Sequence, residues 1–280
     1  MMWHVVGSTG FIGRSLIEKL PPEVSYCCYA RRPRAGAHQI DLLNLTAECY
    51  SEIRAGDYVV LSAAISSPDL CHSQYEMAYA TNVTGTKRFI AECLRRDARV
   101  LFFSSDVVVG ATDSPHDETM PVAPFGAYGC MKREIELAFS DDPRFKVFRL
   151  SYVFSREDKF MKYLRKCVDS GEEADVFQAL YRNVVYLDDV LEAVIALGKY
   201  FDAWHNPIFH LSGSELLCRA DMAERFRSTI APALRYTTRL PEASFFEARP
   251  NVIETHSLYL EQLLCRPPTT LAEALKLEYK

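Results

Sequence analysis

A short apolar run, Trp3–Val6, breaks at Gly7 into the turn Gly7-Ser-Thr-Gly10-Phe-Ile-Gly13, and a helical pattern runs from there to Leu20 before Pro21 and Pro22 stop it. Few architectures place three glycines at this spacing between a strand and a helix. Glycine permits tight turning and lets a bound group approach the backbone closely. The helix start adds unpaired N–H groups and the positive end of its dipole. The pattern fits a pyrophosphate cradle at the first crossover of a parallel sheet. A plain strand–helix turn is the competing reading, and position rather than glycine count argues against it.

The alternation continues. Strands are expected at Val24–Tyr29, Tyr58–Ala63, Arg99–Phe103 and Lys146–Leu150, and helices over Thr81–Arg96 and Tyr128–Phe139. Later strands are expected at Val184–Tyr186 and Pro207–Leu211, with helices at Asp188–Tyr200 and Ala220–Thr229. This order predicts an α/β fold, a doubly wound parallel sheet of Rossmann type with helices on both faces. The tail after Ala231 is less periodic and reads as part of a smaller lobe. The expected division is a dinucleotide-binding domain at 1–152, with 181–212 returning to it, and a substrate-binding lobe at 153–180 and 213–280.

Composition closes several other routes. The 280 residues are 49% hydrophobic and 25% charged, enough for a sizeable core. A net charge of −5 gives no support to a nucleic-acid role. No apolar run approaches the ~18 residues that span a membrane. Nine cysteines are scattered without a CxxC pair, and no leader-like stretch precedes the first strand. Reduced thiols and a cytoplasmic location are therefore expected. The seven histidines share no ligand spacing, so no metal site is expected.

The second strand ends at Tyr29-Ala30. A site that prefers NAD places an acidic residue there for the ribose 2′-hydroxyl. Here the sequence is Ala30-Arg31-Arg32-Pro33-Arg34. Guanidinium groups at Arg31 and Arg32 can clamp a 2′-phosphate, which favours NADP(H) over NAD(H). A solvated basic loop is the competing reading.

Tyr128-Gly-Cys-Met-Lys132 puts a phenol and an ammonium one helical turn apart, roughly 6 Å, on a single face. A phenol with pKa near 10 is a poor acid–base group at neutral pH. A nearby ammonium and an oxidised nicotinamide ring favour its ionised form. A shift of three units corresponds to about 4 kcal/mol, feasible in a closed site. The pattern is common on ordinary surface helices, so it needs a partner. Phe102-Phe103-Ser104-Ser105-Asp106 supplies one, a hydroxyl at the end of a buried strand, where doubly wound sheets carry their sites. Strand alternation sends the neighbouring Ser104 to the other face.

Taken together, the chain from Val5 to about Leu275 resembles the extended short-chain dehydrogenase/reductase family, the NAD-dependent epimerase/dehydratase group. Its length and short tail resemble most the dTDP-4-dehydrorhamnose reductase-like branch. Phe11 and Ile12 inside the glycine turn, the 23-residue step from Ser105 to Tyr128, and the helix start Asn82-Val-Thr-Gly-Thr86 carry the likeness. So do Arg149-Leu-Ser151-Tyr-Val153, whose counterpart borders the nicotinamide, and Val185-Tyr-Leu-Asp-Asp189-Val190. The resemblance implies Ser105, Tyr128 and Lys132 as catalytic residues. It implies a cofactor bound by Gly7, Thr9, Gly10, Phe11, Ile12, Gly13, Arg31, Arg32, Asp41, Leu42, Ala63, Ala64, Asn82, Tyr128 and Lys132. Asp41-Leu42 would lie beside the adenine, and Asn82 would organise the site. It implies a substrate held by Ser105, Tyr128 and Arg249, the last in an Arg-Pro pair that meets a nucleotide-sugar diphosphate, with a plain loop arginine as the alternative. Asp189 is implied to be structural.

The implied activity is that of an NAD(P)-dependent oxidoreductase, an NADPH-dependent reductase of a 4-keto nucleotide-sugar. A C4 epimerase and a non-sugar carbonyl reductase share the scaffold. A non-catalytic, NADP-binding regulatory subunit is the alternative of another class. The dehydratase branch has Asp-Glu after its catalytic hydroxyl residue. Asp106-Val107 lacks that second carboxylate, which weighs against dehydration. Val108-Val109 replaces aromatic residues usual in the family. A homodimer through Val83–Arg96 and Ala127–Ser140 is expected by the same likeness.

Overall fold

The computed structural model describes residues 1–32, 36–247 and 249–280. Seven parallel strands form the central sheet: β1 (Trp3–Val6), β2 (Tyr26–Ala30), β3 (Ala37–Gln39), β4 (Tyr58–Leu61), β5 (Arg99–Ser105), β6 (Phe145–Leu150) and β10 (Ile208–Leu211). Their order is β10-β6-β5-β4-β1-β2-β3. The chain starts in the middle, winds out to β3, then crosses back to β4 on the other side of β1. The crevice for a ligand opens where this winding reverses, at the carboxyl ends of β1 and β4.

Side-chain alternation divides the core. Val59, Leu61, Val100 and Phe102 meet Phe89 and Ile90 of α4 (Thr86–Arg95) and Met131 and Ile135 of α5 (Gly126–Ala138). Tyr58, Val60, Leu101 and Phe103 face Leu16 of α1 (Phe11–Lys19) and Val190, Leu191 and Val194 of α7 (Leu187–Lys199). A one-residue slip of any strand would exchange its two faces, so this packing fixes register.

A second sheet gathers β7 (Tyr152–Phe154), β9 (Tyr181–Tyr186), β11 (Glu215–Leu217) and β13 (Val252–Ile253) around β9. The parallel pair β8 (Ala174–Phe177) and β12 (Tyr236–Arg239) lies beside α6 (Lys159–Ser170), α8 (Arg219–Thr229) and α10 (Leu271–Glu278), whose inner faces share a third apolar cluster. Among the described residues no helix is long and apolar enough to cross a membrane, and no group of His, Cys, Asp or Glu is arranged to hold a metal ion.

Residues 181–212 are shared between the two layers: β9 pairs in the second sheet but sends Val185 into the first layer's core, which α7 and β10 also join. Conversely α9 (Leu260–Leu264), from the expected lobe, packs Leu260 and Leu263 into the first layer's core. The single helix expected over Thr81–Arg96 is a π-helical turn, Ala80–Gly85, followed by α4. The Thr86 hydroxyl reaches back to the Thr81 carbonyl at 3.1 Å, one residue further than an α-helical bond spans. Helix α6 was not anticipated, although Asp158 caps it and Met161, Leu164 and Cys167 recur on its buried face.

Candidate active site

Gly7 adopts φ +95°, a conformation that strains other residues. Its N–H and that of Ser8 both donate to the Tyr29 carbonyl, tying the turn to β2. No side chain caps the first turn of α1, and no acidic residue lies in it. Its N–H groups therefore remain available to an anion. The cleft above this turn holds about 380 Å³. Gly7, Thr9, Gly10, Arg31, Arg32, Asp41, Leu42, Ala63 and Ala64 all line it, together with Ser62, Ile65 and Thr81, which sequence reasoning did not name. The donor set fits a dinucleotide: backbone N–H groups and a dipole for phosphates, two guanidinium groups at one end, small residues along the wall. Arg34 of the basic run lies outside the described residues.

The side chains of Phe11 and Ile12 pack against the core under α1, while their backbone N–H groups belong to its uncapped first turn. Asn82 is buried and holds the backbone of Ile65, which lines the cleft. Its carbonyl accepts from Ile65 N–H at 2.8 Å, and its amide donates to Ile65 O at 2.9 Å. The π-helical turn aims it there, so it shapes the segment that follows β4.

Ser105 ends β5, half-buried, with Asp106–Val108 forming a 3₁₀ turn behind it. Helix α5 begins against that turn: Phe125 N–H donates to Val107 O at 3.0 Å. Tyr128 and Lys132 stand one turn apart on α5, the ammonium 5.6 Å from the centre of the phenol ring. Lys132 is 4% exposed and donates to Phe103 O at 2.7 Å. Burial lowers its pKa to about 8, with Cys71 and Glu136 opposing the shift. Burial, aided by Cys71 and Asp106, pushes the Tyr128 phenol well above its ordinary value. Before ligands arrive the phenol is therefore firmly protonated at neutral pH, and Lys132 mostly charged.

Asp106 was seen in the sequence only as half of a missing pair. It is the inner partner of Ser105, whose Oγ donates to its Oδ1 at 3.1 Å. Ser151 Oγ donates to Oδ2 at 3.2 Å, and Arg182 Nε lies 3.5 Å from the same oxygen. Burial raises this carboxyl, and Arg182 acts most strongly against that rise.

Arg182 also lines a second cavity of about 160 Å³, with Val107, Tyr152, Arg219 and Arg249 among its walls. The Arg219 guanidinium carbon sits over Tyr152, 3.9 Å from the ring centre, and Arg249 pairs with Asp69. Three guanidinium groups thus line one small cavity, two of them already paired with Asp106 and Asp69. Arg249 was named from the sequence, but Arg182 and Arg219 were not. Arg182 had a local signal, since it sits two residues before the Val184-Val185 run; Arg219 had none, as it opens an ordinary helix. Asp189 is fully buried and accepts from Thr269 N–H, Thr269 Oγ1 and Arg266, which clamps 266–269 onto α7.

The family described as RmlD substrate binding domain matches residues 1–248. A dTDP-4-dehydrorhamnose reductase of Mycobacterium tuberculosis is 31% identical over 153 residues, 52% of this chain and 50% of that protein. The chain thus spans about half the length of the first curated relatives it matches. Methionine adenosyltransferase 2 subunit beta of Xenopus tropicalis is 26% identical over 234 residues, 78% of this chain and 69% of that protein. The solved dTDP-4-dehydrorhamnose reductase of Bacillus anthracis in complex with NADP has a TM-score of 0.80 over 99% of this chain and 98% of that one, at 19% identity, a likeness of fold. With that family's match over residues 1–248 and the doubly wound sheet, the chain belongs to the RmlD substrate-binding-domain family, within the extended short-chain dehydrogenases/reductases.

Proposed function

We propose that this protein is an NAD(P)-dependent oxidoreductase that reduces a keto group on a nucleotide-sugar, at the 4-position, with NADPH as the hydride source. The observation that carries the reading is the meeting of Tyr128 and Lys132 with the turn behind Ser105, at the mouth of a sheet whose glycine turn is open to an anion. Ser105 turns its hydroxyl from Asp106 to the substrate carbonyl oxygen and stabilises the developing alkoxide. Tyr128 gives that oxygen its phenolic proton; burial keeps the phenol protonated before ligands arrive, and the neighbouring ammonium offsets the cost of its ionisation as the proton leaves. Lys132 keeps positive charge beside the phenol as the proton leaves and holds the ribose. The cofactor, when bound, contributes hydride to the carbonyl carbon. Arg182, Arg219 and Arg249 take the substrate's diphosphate. A homodimer through α4 and α5 and a cytoplasmic location complete the reading.

The test is incubation of the purified chain with a 4-keto nucleotide-sugar and NADPH. Stoichiometric loss of the reduced nicotinamide absorbance with formation of the 4-hydroxy sugar supports reduction. An isomerised product without net cofactor use would point to epimerisation, and turnover of simple ketones alone to a non-sugar reductase. The relative named as an adenosyltransferase subunit, which aligns over more of the chain than the reductase does, favours one reading of another class: a dinucleotide-binding regulatory subunit. That reading wins if a Tyr128→Phe chain still performs the cellular role.

Cofactor choice has its own expected result. Arg31 and Arg32 are exposed at the end of the cleft, so replacing both should not disturb the fold. Arg31→Ala with Arg32→Ala should weaken NADPH by ~10- to 100-fold, the loss of one or two charge-assisted pairs, and leave NADH within about twofold. Equal losses for both dinucleotides, read by fluorescence titration, would refute the 2′-phosphate role.

A further inference from the structure

We propose that Glu136 is a positioning residue for the reaction: held by Ser104 and Arg149, it locks α5 onto the end of β5 and so fixes Tyr128 and Lys132 over the turn behind Ser105. The inference rests on the reductase reading above.

Tyr128, Lys132 and Glu136 occupy positions i, i+4 and i+8 of α5, one stripe along the helix. That stripe meets consecutive residues of β5. Lys132 takes the Phe103 carbonyl, and Glu136 Oε1 accepts from Ser104 Oγ at 2.6 Å. Ser104 and Arg149 are paired neighbours on β5 and β6. Arg149 donates Nε to Oε1 at 3.0 Å and Nη2 to Oε2 at 2.7 Å. Arg133 Nη1 donates to Oε2 at 3.0 Å. Four donors thus fill the carboxylate's acceptor sites. Arg149 also donates Nη1 to His210 Nε2 at 3.3 Å, and His210 Nδ1–H donates to His256 O at 3.2 Å. Ser104, Glu136, Arg149 and His210 are all buried.

A buried ion pair is seldom worth more to stability than well-packed apolar side chains. What it adds is direction. An apolar contact at this place would tolerate sliding or rotation of α5, whereas the three directed bonds from Ser104 and Arg149 define one position; the fourth, from Arg133, stays within α5. The stakes are high because α5 carries both the proton donor and its ammonium partner, and an error of about 1 Å at a reacting group costs ~10²-fold in rate.

The clamp has an electrostatic side too. The groups that face Lys132 are Cys71 from α2 (Pro68–Ser73), Tyr128 and Glu136 from its own helix, and, behind Glu136, Arg149 from β6. Glu136 is the carboxylate among them and favours the charged lysine.

The experiment separates reach from charge. Carbon NMR of lysine-labelled protein, with the Lys132 signal assigned by Lys132→Met, follows the Lys132 titration in the chain alone. Glu136→Gln should move its midpoint down by about one pH unit. Glu136→Asp keeps the charge but cannot reach Ser104, so it should retain the midpoint and lose kcat. Ser104→Ala removes only the Ser104–Glu136 bond; kcat should fall ~10-fold with KM within about twofold. If Glu136→Gln does not fold, Ser104→Ala and Glu136→Asp decide. An unmoved Lys132 midpoint in a folded Glu136→Gln, or wild-type kcat in Ser104→Ala, overturns the proposal. A wild-type chain inert toward every keto sugar fails the reductase reading instead, and the titration then decides the clamp.

Discussion

Tyr128→Phe should leave NADPH affinity within a few-fold of the wild type and lower kcat for keto reduction by ~10²- to 10⁴-fold, the span that a well-placed general acid commands. The substitution keeps the ring on α5 beside Lys132 and removes only the oxygen. Its effect on stability should be small, because the phenol is half-buried and the ring contacts survive. Loss of kcat with KM nearly unchanged would mark an interaction made in the transition state. A variant within threefold of wild-type turnover sinks the assignment. The pH profile gives an independent view. Tyr128 is pushed far above its ordinary value, so it does not set the limb near neutrality. Lys132, brought down to about 8, does. Its active form is the ammonium, which is complete below that value and lost as the pH climbs through it. Reduction measured as kcat/KM should therefore be level below pH ~8 and fall up to tenfold per unit above it. Thermal melts across the same range separate lost catalysis from unfolding.

The features legible in the sequence are those whose physics is local. The glycine turn is a backbone constraint written in seven consecutive residues, and the cleft it opens contains nine of the residues named for the cofactor. Tyr128 and Lys132 are one helical turn apart, so their meeting follows from α-helix geometry alone. Ser105 needed one more step, the end of a buried strand in a doubly wound sheet. What stayed hidden depends on segments far apart in the chain. Arg182 reaches Asp106 from β9, 76 residues on, because β9 pairs with β7 rather than with the central sheet. Arg219 comes from α8, and its position over Tyr152 is a consequence of how the second sheet packs. Asn82 was expected to organise the cofactor site, but the partner it would hold was not legible. A π-helical turn, which leaves little trace in apolar periodicity, turns it toward Ile65, which lines the cleft. Glu136 looks like a surface glutamate of a helix until Ser104 and Arg149 are brought beside it.

The glycine turn itself allows the second large prediction. A Cβ at Gly13 would lie 2.3 Å from Gly7 O, 2.9 Å from Gly7 C and 3.1 Å from Ser8 Cα. All three are backbone atoms, so no side chain can swing aside. They are held in turn by the Gly7 and Ser8 N–H bonds to Tyr29 O and by the positive φ of Gly7. Gly13→Val must therefore lift α1 away from β1 or open the turn. Either movement carries the uncapped N–H groups of α1 away from the place where they converge. Overpacking of this kind costs about 1–3 kcal/mol of stability. The loss of dinucleotide affinity should be larger in effect, ~100-fold or more, because the pyrophosphate depends on both the close backbone and the helix end. Fluorescence titration with NADPH and with NADH should show the same loss for both, since the turn lies under the part that the two dinucleotides share. That symmetry distinguishes it from the Arg31 and Arg32 double variant, where only NADPH should suffer. A folded Gly13→Val chain with undiminished affinity would mean that the glycine turn is a packing device, and that whatever the cleft binds does not rest on the start of α1.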